Sequence, residues 1–252
     1  MKYLCLLSML WALAVGRHAY AQPFTISVEP LVPSVYVHTS YNLYGGQPFP
    51  SNGMIVETKK GVVLIDTPWD TAQTTQLIKW VSTYLKQRVV LAVVTHFHED
   101  RLAGTEVLRR HGARVVSTRL TADLAKKEGF PVPDGILPND TTLKVGGTSI
   151  ETYFPGAGHA PDNIVVWLPK QKVLFGGCFI KSYEASSLGN LSDADLASWP
   201  AAMRRVHERY PKPAFVVPGH QSWKVTADAP TALPFGHPSL QHTVDMLERK
   251  GG

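Results

Sequence analysis

A run of apolar residues that ends in a cluster of ionisable side chains constrains this chain more than any other feature. The run, Val89 to Val94, is continuous and rich in valine, which is typical of a strand buried on both faces of a sheet. It leads directly into Thr95-His96-Phe97-His98-Glu99-Asp100. A buried strand therefore delivers several polar residues to its end, and this pattern indicates a functional site there.

Short strands and helices alternate along the rest of the chain. Strands are predicted at 25–28, 34–39, 54–58, 62–65, 114–117, 149–154, 164–168, 173–175 and 214–217, and helices at 71–85, 105–111, 120–128, 199–209 and 239–249. This alternation predicts an α/β (α+β) protein whose helices cover a sheet. We expect an exposed loop at Tyr41 to Gly53 and a proline-rich crossing at Pro131 to Pro138. No long Gly, Ser or Pro linker divides the chain, so we expect one domain over residues 22–252.

Three further apolar segments end in a glycine that is followed by a residue able to bind metal. These residues are His159, Cys178 and His220. A single histidine in this position is more often a structural polar residue than a ligand. Together with His96, His98 and Asp100, however, they make six compatible ligands at four strand ends, and this repetition favours a metal site.

Cys178 is the one cysteine beyond the first 21 residues, because Cys5 is the only other cysteine. A lone thiol can be buried and inert, an intermolecular disulfide partner, a nucleophile or a metal ligand. Six ligands exceed what one tetrahedral zinc takes, and they divide into two sets of three. Two adjacent zincs that share a water favour hydrolysis, and in such a site Cys178 is a thiolate ligand.

The first 21 residues have the pattern of a secretory signal peptide. Lys2 precedes an apolar stretch from Leu4 to Val15, and the segment ends in Ala19-Tyr20-Ala21. The alternative is a membrane anchor, but the apolar stretch is shorter than the roughly 20 residues that span a bilayer. We expect a cleaved leader and a soluble, exported protein. The net charge of +5 is scattered, without a basic run, so we expect no nucleic-acid partner.

Together, five motifs resemble those of the metallo-β-lactamases of subclass B1. They are His96-Phe97-His98-Glu99-Asp100-Arg101, Gly158-His159-Ala160-Pro161-Asp162-Asn163, Gly176-Gly177-Cys178-Phe179-Ile180-Lys181, Gly189-Asn190-Leu191 and Pro218-Gly219-His220. The segment Leu64 to Trp69 agrees as well. Other members of the wider superfamily commonly have a second histidine after the aspartate, where this chain has Arg101.

The resemblance implies a four-layer αββα sandwich with the site at the edge of its two sheets. One zinc would be bound by His96, His98 and His159, and a second by Asp100, Cys178 and His220. A hydroxide bound by both zincs would attack the carbonyl of penicillins, cephalosporins and carbapenems. We expect a monomer in the periplasm, free of the membrane after the leader is cleaved. The resemblance makes the Tyr41 to Gly53 segment a mobile hairpin that closes over substrate.

The resemblance assigns roles to Lys181, Asn190 and Asp66, and we expect Arg101 to pair with Asp100 or to screen the charge of the site. Each of the four has a simpler alternative. Lys181 would bind the substrate carboxylate and Asn190 would donate to the lactam carbonyl, so that both serve catalysis with Asp100. Their alternatives are a solvated lysine and a turn asparagine. Asp66 and Arg101 would support the metal ligands from behind, and their alternatives are a strand-end cap and a surface arginine.

Ala103 and Ala160 depart from residues that are common in the family, although neither is a ligand position. Two other functions remain open at this point. One is a dinuclear zinc hydrolase acting on a thioester or lactone, and the other is a zinc-binding protein without turnover. Cys178, Lys181 and Asn190 favour the β-lactamase over the first alternative.

Overall fold

Two β-sheets face each other in the computed structural model of the protein, which describes residues 24–226, 229–230 and 232–251. The first sheet has seven strands that lie side by side in chain order: β1 (Ser27–Val32), β2 (Val35–Tyr44), β3 (Gln47–Thr58), β4 (Gly61–Ile65), β5 (Val89–Val93), β6 (Arg114–Thr118) and β7 (Gly135–Leu137). The second has five: β8 (Thr141–Val145), β9 (Thr148–Tyr153), β10 (Val165–Leu168), β11 (Val173–Gly177) and β12 (Phe215–Pro218), in the order β12-β11-β10-β9-β8. The leader predicted for residues 1–21 lies outside the described residues.

Within the described residues, six α-helices accompany the sheets: α1 (Thr71–Trp80), α2 (Glu99–Leu102), α3 (Thr105–Arg110), α4 (Arg119–Lys127), α5 (Trp199–Arg209) and α6 (Pro238–Gly251). The predicted helix at 71–85 is thus α-helical only to Trp80, and it continues as a π-helical turn at Val81–Leu85. The Asp70 side chain accepts a hydrogen bond from Gln73 N and so caps the start of α1. In the described part of the chain, no helix has the length and apolar character needed to cross a membrane.

Three apolar clusters show how the layers are stacked. One packs α1 against the outer face of the first sheet, a second fills the space between the sheets, and a third packs α5 and α6 against the second sheet. Strand β4 illustrates the cause, because Val62 and Leu64 face the helices while Val63 and Ile65 face the other sheet. A continuous apolar run is therefore buried on both sides, and the predicted αββα architecture is confirmed.

The loop predicted from residue composition at Tyr41 to Gly53 is wrong for most of that segment, whereas the hairpin implied by the resemblance is present. Strands β2 and β3 pair in continuous antiparallel register out to Tyr44 and Gln47, so only Gly45 and Gly46 form the turn. Both glycines have positive φ, which a tight hairpin requires. The proline-rich crossing contains the edge strand β7, and β8 and α2 had no predicted counterpart.

Candidate metal centre

The six residues predicted to bind metal meet at one end of the sandwich. They follow the ends of β5, β9, β11 and β12, and the glycines before them allow close packing. A Cβ on Gly158 would lie 2.5 Å from the Phe179 ring, and a Cβ on Gly219 would lie 2.5 Å from Cys178 N. Larger residues at these two positions would push the chain away from the centre.

Three histidines form the first donor group. His96, His98 and His159 place ring nitrogens within 4.8 Å of one another, and His98 Nδ1 lies 3.2 Å from His159 Nε2. His96 Nε2 is buried and has no hydrogen-bond partner among the described residues. Two ligands of a tetrahedral zinc are roughly 3.3 Å apart when each is about 2.0 to 2.1 Å from the metal. The spacing and the unpartnered nitrogen fit a metal ion.

Asp100, Cys178 and His220 form the second donor group. Cys178 Sγ lies 3.1 Å from His220 Nε2 and 3.7 Å from Asp100 Oδ2. His220 Nε2 and Asp100 Oδ2 are 3.3 Å apart. The ligand atom of His96 is also within 4.8 Å of those of Asp100 and Cys178, so the two groups adjoin. A set of thiol, imidazole and carboxylate is one that zinc accepts.

Hydrogen bonds determine which nitrogen of two histidines is free for a metal. His220 Nδ1 lies 2.8 Å from Pro50 O, and because a carbonyl oxygen only accepts, Nδ1 carries the proton. His98 Nε2 lies 3.0 Å from Asp193 Oδ2, which places the proton on Nε2. His220 Nε2 and His98 Nδ1 therefore keep their lone pairs, and both of these atoms point into the donor groups.

The same reasoning applies to His96 and makes Asp66 part of the centre. His96 Nδ1 lies 3.3 Å from Thr95 Oγ1, which is 2.8 Å from Asp66 Oδ2. The hydroxyl donates its single proton to the carboxylate, so it accepts from His96 Nδ1 and leaves Nε2 free. Asp66 Oδ1 also accepts from Thr95 N at 2.7 Å. Asp66 thus caps the end of β5 and, through Thr95, orients the His96 imidazole.

Arg101 lies behind the second donor group and is fully buried, so its interpretation as a surface arginine is wrong. Its Nη2 is 2.7 Å from Asp100 Oδ2 and 3.0 Å from Cys178 Sγ. The same guanidinium donates to Asn52 O at 2.6 Å and to Gly219 O at 2.9 Å. A planar group with five donors can bind all of these partners at once, which lysine cannot do.

Burial and the neighbouring charges set the protonation of the centre. Burial raises the pKa of the Cys178 thiol to about 12, so the thiol keeps its proton at neutral pH until a metal displaces it. Burial also raises the pKa of Asp100, but the Arg101 guanidinium and the nearby histidines outweigh it and hold that pKa below its usual range. Burial lowers the pKa of His96 and His159 well below 6.5, which leaves both rings neutral and able to bind metal.

Lys181 and Asn190 line a cavity of about 550 Å³ that opens onto both donor groups. Lys181 is buried, and burial lowers the pKa of its ammonium group to about 8, so it remains mostly charged at neutral pH. Asn190 is exposed, and its Oδ1 accepts a hydrogen bond from Ser192 N at 3.0 Å, as expected of an asparagine in a turn. Its amide Nδ2 is left as the donor for a ligand.

Aromatic side chains form one wall of this cavity. The Phe49 ring is 5.0 Å from the His220 ring, and the Trp69 ring is 5.7 Å from it. Tyr44, at the tip of the hairpin, lies 5.7 Å from Phe49. The hairpin therefore brings apolar surface to the edge of the second donor group.

Sequence reasoning did not find Asp193, Thr95 or the hydrogen-bonding role of Pro50. Asp193 follows the Asn190 turn, and nothing in its local sequence distinguishes it from other surface aspartates. A carboxylate that holds the tautomer of a metal-binding histidine typically changes metal affinity by 10- to 100-fold when it is removed.

We expect Asp193→Ala to weaken metal binding at the first donor group by about 10-fold, because His98 loses the partner of its Nε2. Competition with a chromophoric chelator measures this affinity. Asp193→Asn, which keeps an acceptor oxygen, should lose less. Wild-type affinity in the alanine variant would show that the contact does not orient His98.

Comparison with known proteins identifies relatives over most of the chain. Residues 46–220 match the Metallo-beta-lactamase superfamily. The metallo-beta-lactamase type 2 of Bacillus sp. (strain 170) is 45% identical over 196 residues, which cover 78% of this chain and 76% of that protein. The metallo-beta-lactamase type 2 of Bacteroides fragilis is 40% identical over 217 residues, covering 85% and 87%. A solved metallo-beta-lactamase from Pontibacter korlensis has a TM-score of 0.81 and 45% identity, covering 88% and 99%.

The αββα layers and the two adjoining donor groups define a metal-binding sandwich protein with an open cavity at one edge. The chain belongs to the metallo-beta-lactamase superfamily. Within that superfamily it is similar to the type 2 metallo-beta-lactamases named above. The family resemblance drawn from the sequence motifs is confirmed.

Proposed function

We propose that the protein is a zinc-dependent β-lactamase that hydrolyses the amide bond of penicillins, cephalosporins and carbapenems and so confers antibiotic resistance. The observation that carries the proposal is the convergence of two metal donor groups and a buried lysine on one cavity. A bicyclic β-lactam has a strained amide, whose carbonyl a metal can polarise, and a carboxylate, which an ammonium can bind. The relatives named above as metallo-beta-lactamases support the same activity.

One zinc would be held by His96, His98 and His159, and a second by Asp100, Cys178 and His220. When bound, zinc supplies Lewis-acid polarisation of a carbonyl and lowers the pKa of water towards 7. The buried Arg101 charge lies 3.0 Å from Cys178 Sγ, and it opposes the arrival of another cation at the second group.

The chain's own residues bind and orient the substrate. The Lys181 ammonium pairs with the substrate carboxylate, and Asn190 Nδ2 donates to the lactam carbonyl oxygen. Phe49 and Trp69 cover the ring system and reduce the water around it. Asp100, fixed by Arg101, keeps its carboxylate ionised beside the reacting bond.

Two competing functions differ from this proposal in measurable ways. A hydrolase of thioesters or lactones would turn over those substrates and leave β-lactams intact, and a zinc-binding protein would turn over neither. A buried ammonium facing the cavity favours an anionic substrate and thus a β-lactam over a neutral lactone.

The deciding experiment is a hydrolysis assay on purified protein with a carbapenem and a chromogenic cephalosporin. We expect turnover of both with zinc present, loss of at least 100-fold after dialysis against a chelator, and recovery when zinc is added back. Turnover of thioesters or lactones alone would support the first competing function. Zinc binding without turnover of any substrate would support the second.

Replacing Lys181 by alanine is expected to raise KM about 10-fold or more with a smaller change in kcat, because the lysine binds a carboxylate that is present in both ground and transition states. Steady-state kinetics on several β-lactams measure this split. Lys181→Arg, which keeps the charge, is the matched control. An unchanged KM in the alanine variant would remove Lys181 from the binding site.

We further propose that residues 1–21 are a leader that is cleaved on export to the periplasm, leaving residues 22–252 as a soluble, monomeric domain. The burial of Cys178 argues against a disulfide-linked dimer, since this thiol is inaccessible to a second chain. N-terminal sequencing of protein from a periplasmic extract, together with its mass by light scattering, tests both parts.

A further inference from the structure

The buried lysine of the cavity lies against the face of a tryptophan. Lys181 Nζ is 5.2 Å from the centre of the Trp199 ring. Among the described residues, Lys181 forms no ion pair with a carboxylate within 4.0 Å. Lys181 is nevertheless buried, with an exposed fraction of 8%. The Trp199 face is therefore a direct contact of this charge, while the Asp100 carboxylate attracts it from beyond 4.0 Å.

Trp199 itself is rigidly held. It has no exposed surface, and its Nε1–H donates to Phe179 O at 3.1 Å. Its ring stacks on Phe179 with centroids 5.9 Å apart and an interplanar angle of 26°. The ring also lies 6.0 Å from that of His159 in an edge contact. Because these contacts fix the Trp199 ring, the flexible Lys181 side chain packs against a rigid surface.

The backbone of Lys181 is fixed as well, because its N–H donates to Thr243 Oγ1 on α6 at 2.9 Å. The Lys181 backbone is thus held by α6, and its ammonium group contacts Trp199, the first residue of α5. A π face attracts an ammonium without accepting its protons in strong hydrogen bonds. A carboxylate in the same place would neutralise the charge and compete with the substrate.

We propose that Trp199 is a positioning residue that holds the Lys181 ammonium in the cavity, charged and with its N–H donors free for the substrate carboxylate. This inference rests on the proposed β-lactamase function. It assigns to Trp199 a part in substrate binding that its place in the apolar core between α5 and the second sheet does not by itself indicate.

The test compares a chromogenic cephalosporin as the free acid with its methyl ester, which lacks the anion. We expect Trp199→Leu to raise KM for the acid about 10-fold, to leave KM for the ester within about 2-fold, and to change kcat little. Trp199→Phe keeps an aromatic face and should restore much of the loss. An unchanged KM for the acid, or an equal rise for acid and ester, would overturn the proposal.

A second set of variants separates positioning from packing. Site-specific replacement of Trp199 by progressively fluorinated tryptophans preserves shape and the Nε1–H donor while weakening the π face, so KM for the acid should rise stepwise with fluorine content. Met203→Ala removes another buried side chain of α5 and is expected to lower stability without changing the acid-to-ester ratio of KM. A flat response to fluorination would contradict the proposal even if Trp199→Leu failed to fold.

The proposed function and this inference fail in different ways. Wild-type protein that hydrolysed neither the acid nor the ester would overturn the β-lactamase function and the inference with it. If the wild-type protein hydrolysed the substrate and the fluorinated variants had an unchanged KM for the acid, the inference alone would be overturned.

Discussion

Replacing His96 by alanine is expected to reduce kcat/KM for β-lactam hydrolysis by about 1,000-fold, on the order of 4 kcal/mol of transition-state stabilisation. His96 is the residue common to two sets of possible ligands, and its buried Nε2 has no partner among the described residues. Loss of this ring removes a ligand from the first donor group and also disturbs the second. The measurements are steady-state kinetics with excess zinc and the zinc content of the dialysed protein.

His111→Ala is the control for that variant, because His111 lies outside the centre and bonds to Val107 O on its own helix. Its kcat/KM should stay within about 2-fold of the wild-type value, since surface substitutions rarely perturb a distant site. If His96→Ala kept more than a tenth of the activity, His96 would not be a ligand.

Arg101→Leu is expected to destabilise the metal-free protein by about 3 to 5 kcal/mol, because it leaves buried carboxylates without their compensating charge. The guanidinium is fully buried and contacts Asp100 at 2.7 Å and Asp66 at 3.4 Å. It also satisfies two backbone carbonyls, which would lose their donor. Urea unfolding in the presence of a chelator measures the change in free energy.

The pH dependence of that loss has a definite sign. Burial raises the pKa of Asp66 to about 7 even though Arg101 opposes the shift, and without Arg101 the pKa of Asp66 rises further. A carboxyl whose folded-state pKa is raised binds more protons in the folded state, so it stabilises the fold as the pH falls. The deficit of Arg101→Leu should therefore shrink between pH 7 and pH 5.

Arg109→Leu is the matched control, because Arg109 is a partly exposed arginine that pairs with Glu106 and Asp134. Exposed pairs contribute little, so we expect a loss below about 1 kcal/mol that changes little over the same pH range. Equal losses in the two variants would mean that burial of the Arg101 ion pairs has no special effect.

The layered fold was accessible from the sequence because burial on two faces leaves a local signature. The run Val62 to Ile65 is apolar throughout, and in the structure its side chains alternate between the helices and the second sheet. The hairpin β2–β3 was implied by the family resemblance but not by the local pattern of residues. Its outer residues carry a mixed pattern with glycine and proline, and continuous pairing with the partner strand makes them extended.

The donor groups were predictable for a similar reason. The candidate metal-binding residues follow the ends of apolar runs, and glycines precede three of them, so their positions in the sequence identified six candidates. Their division into two groups came from the family resemblance, and the distances between ligand atoms agree with it.

What local periodicity in the sequence determined is the alternation of buried strands with helices and the residues at the ends of the strands, whereas the four-layer order came from the family resemblance. Only the tertiary structure decided which distant residues contact the candidate site residues. Asp193 reaches His98 across 95 positions of the chain, Arg101 lies behind Cys178, and Trp199 lies beneath Lys181. Such contacts join segments whose separation is set by the packing of two sheets and their helices, and no local pattern in the chain encodes that distance.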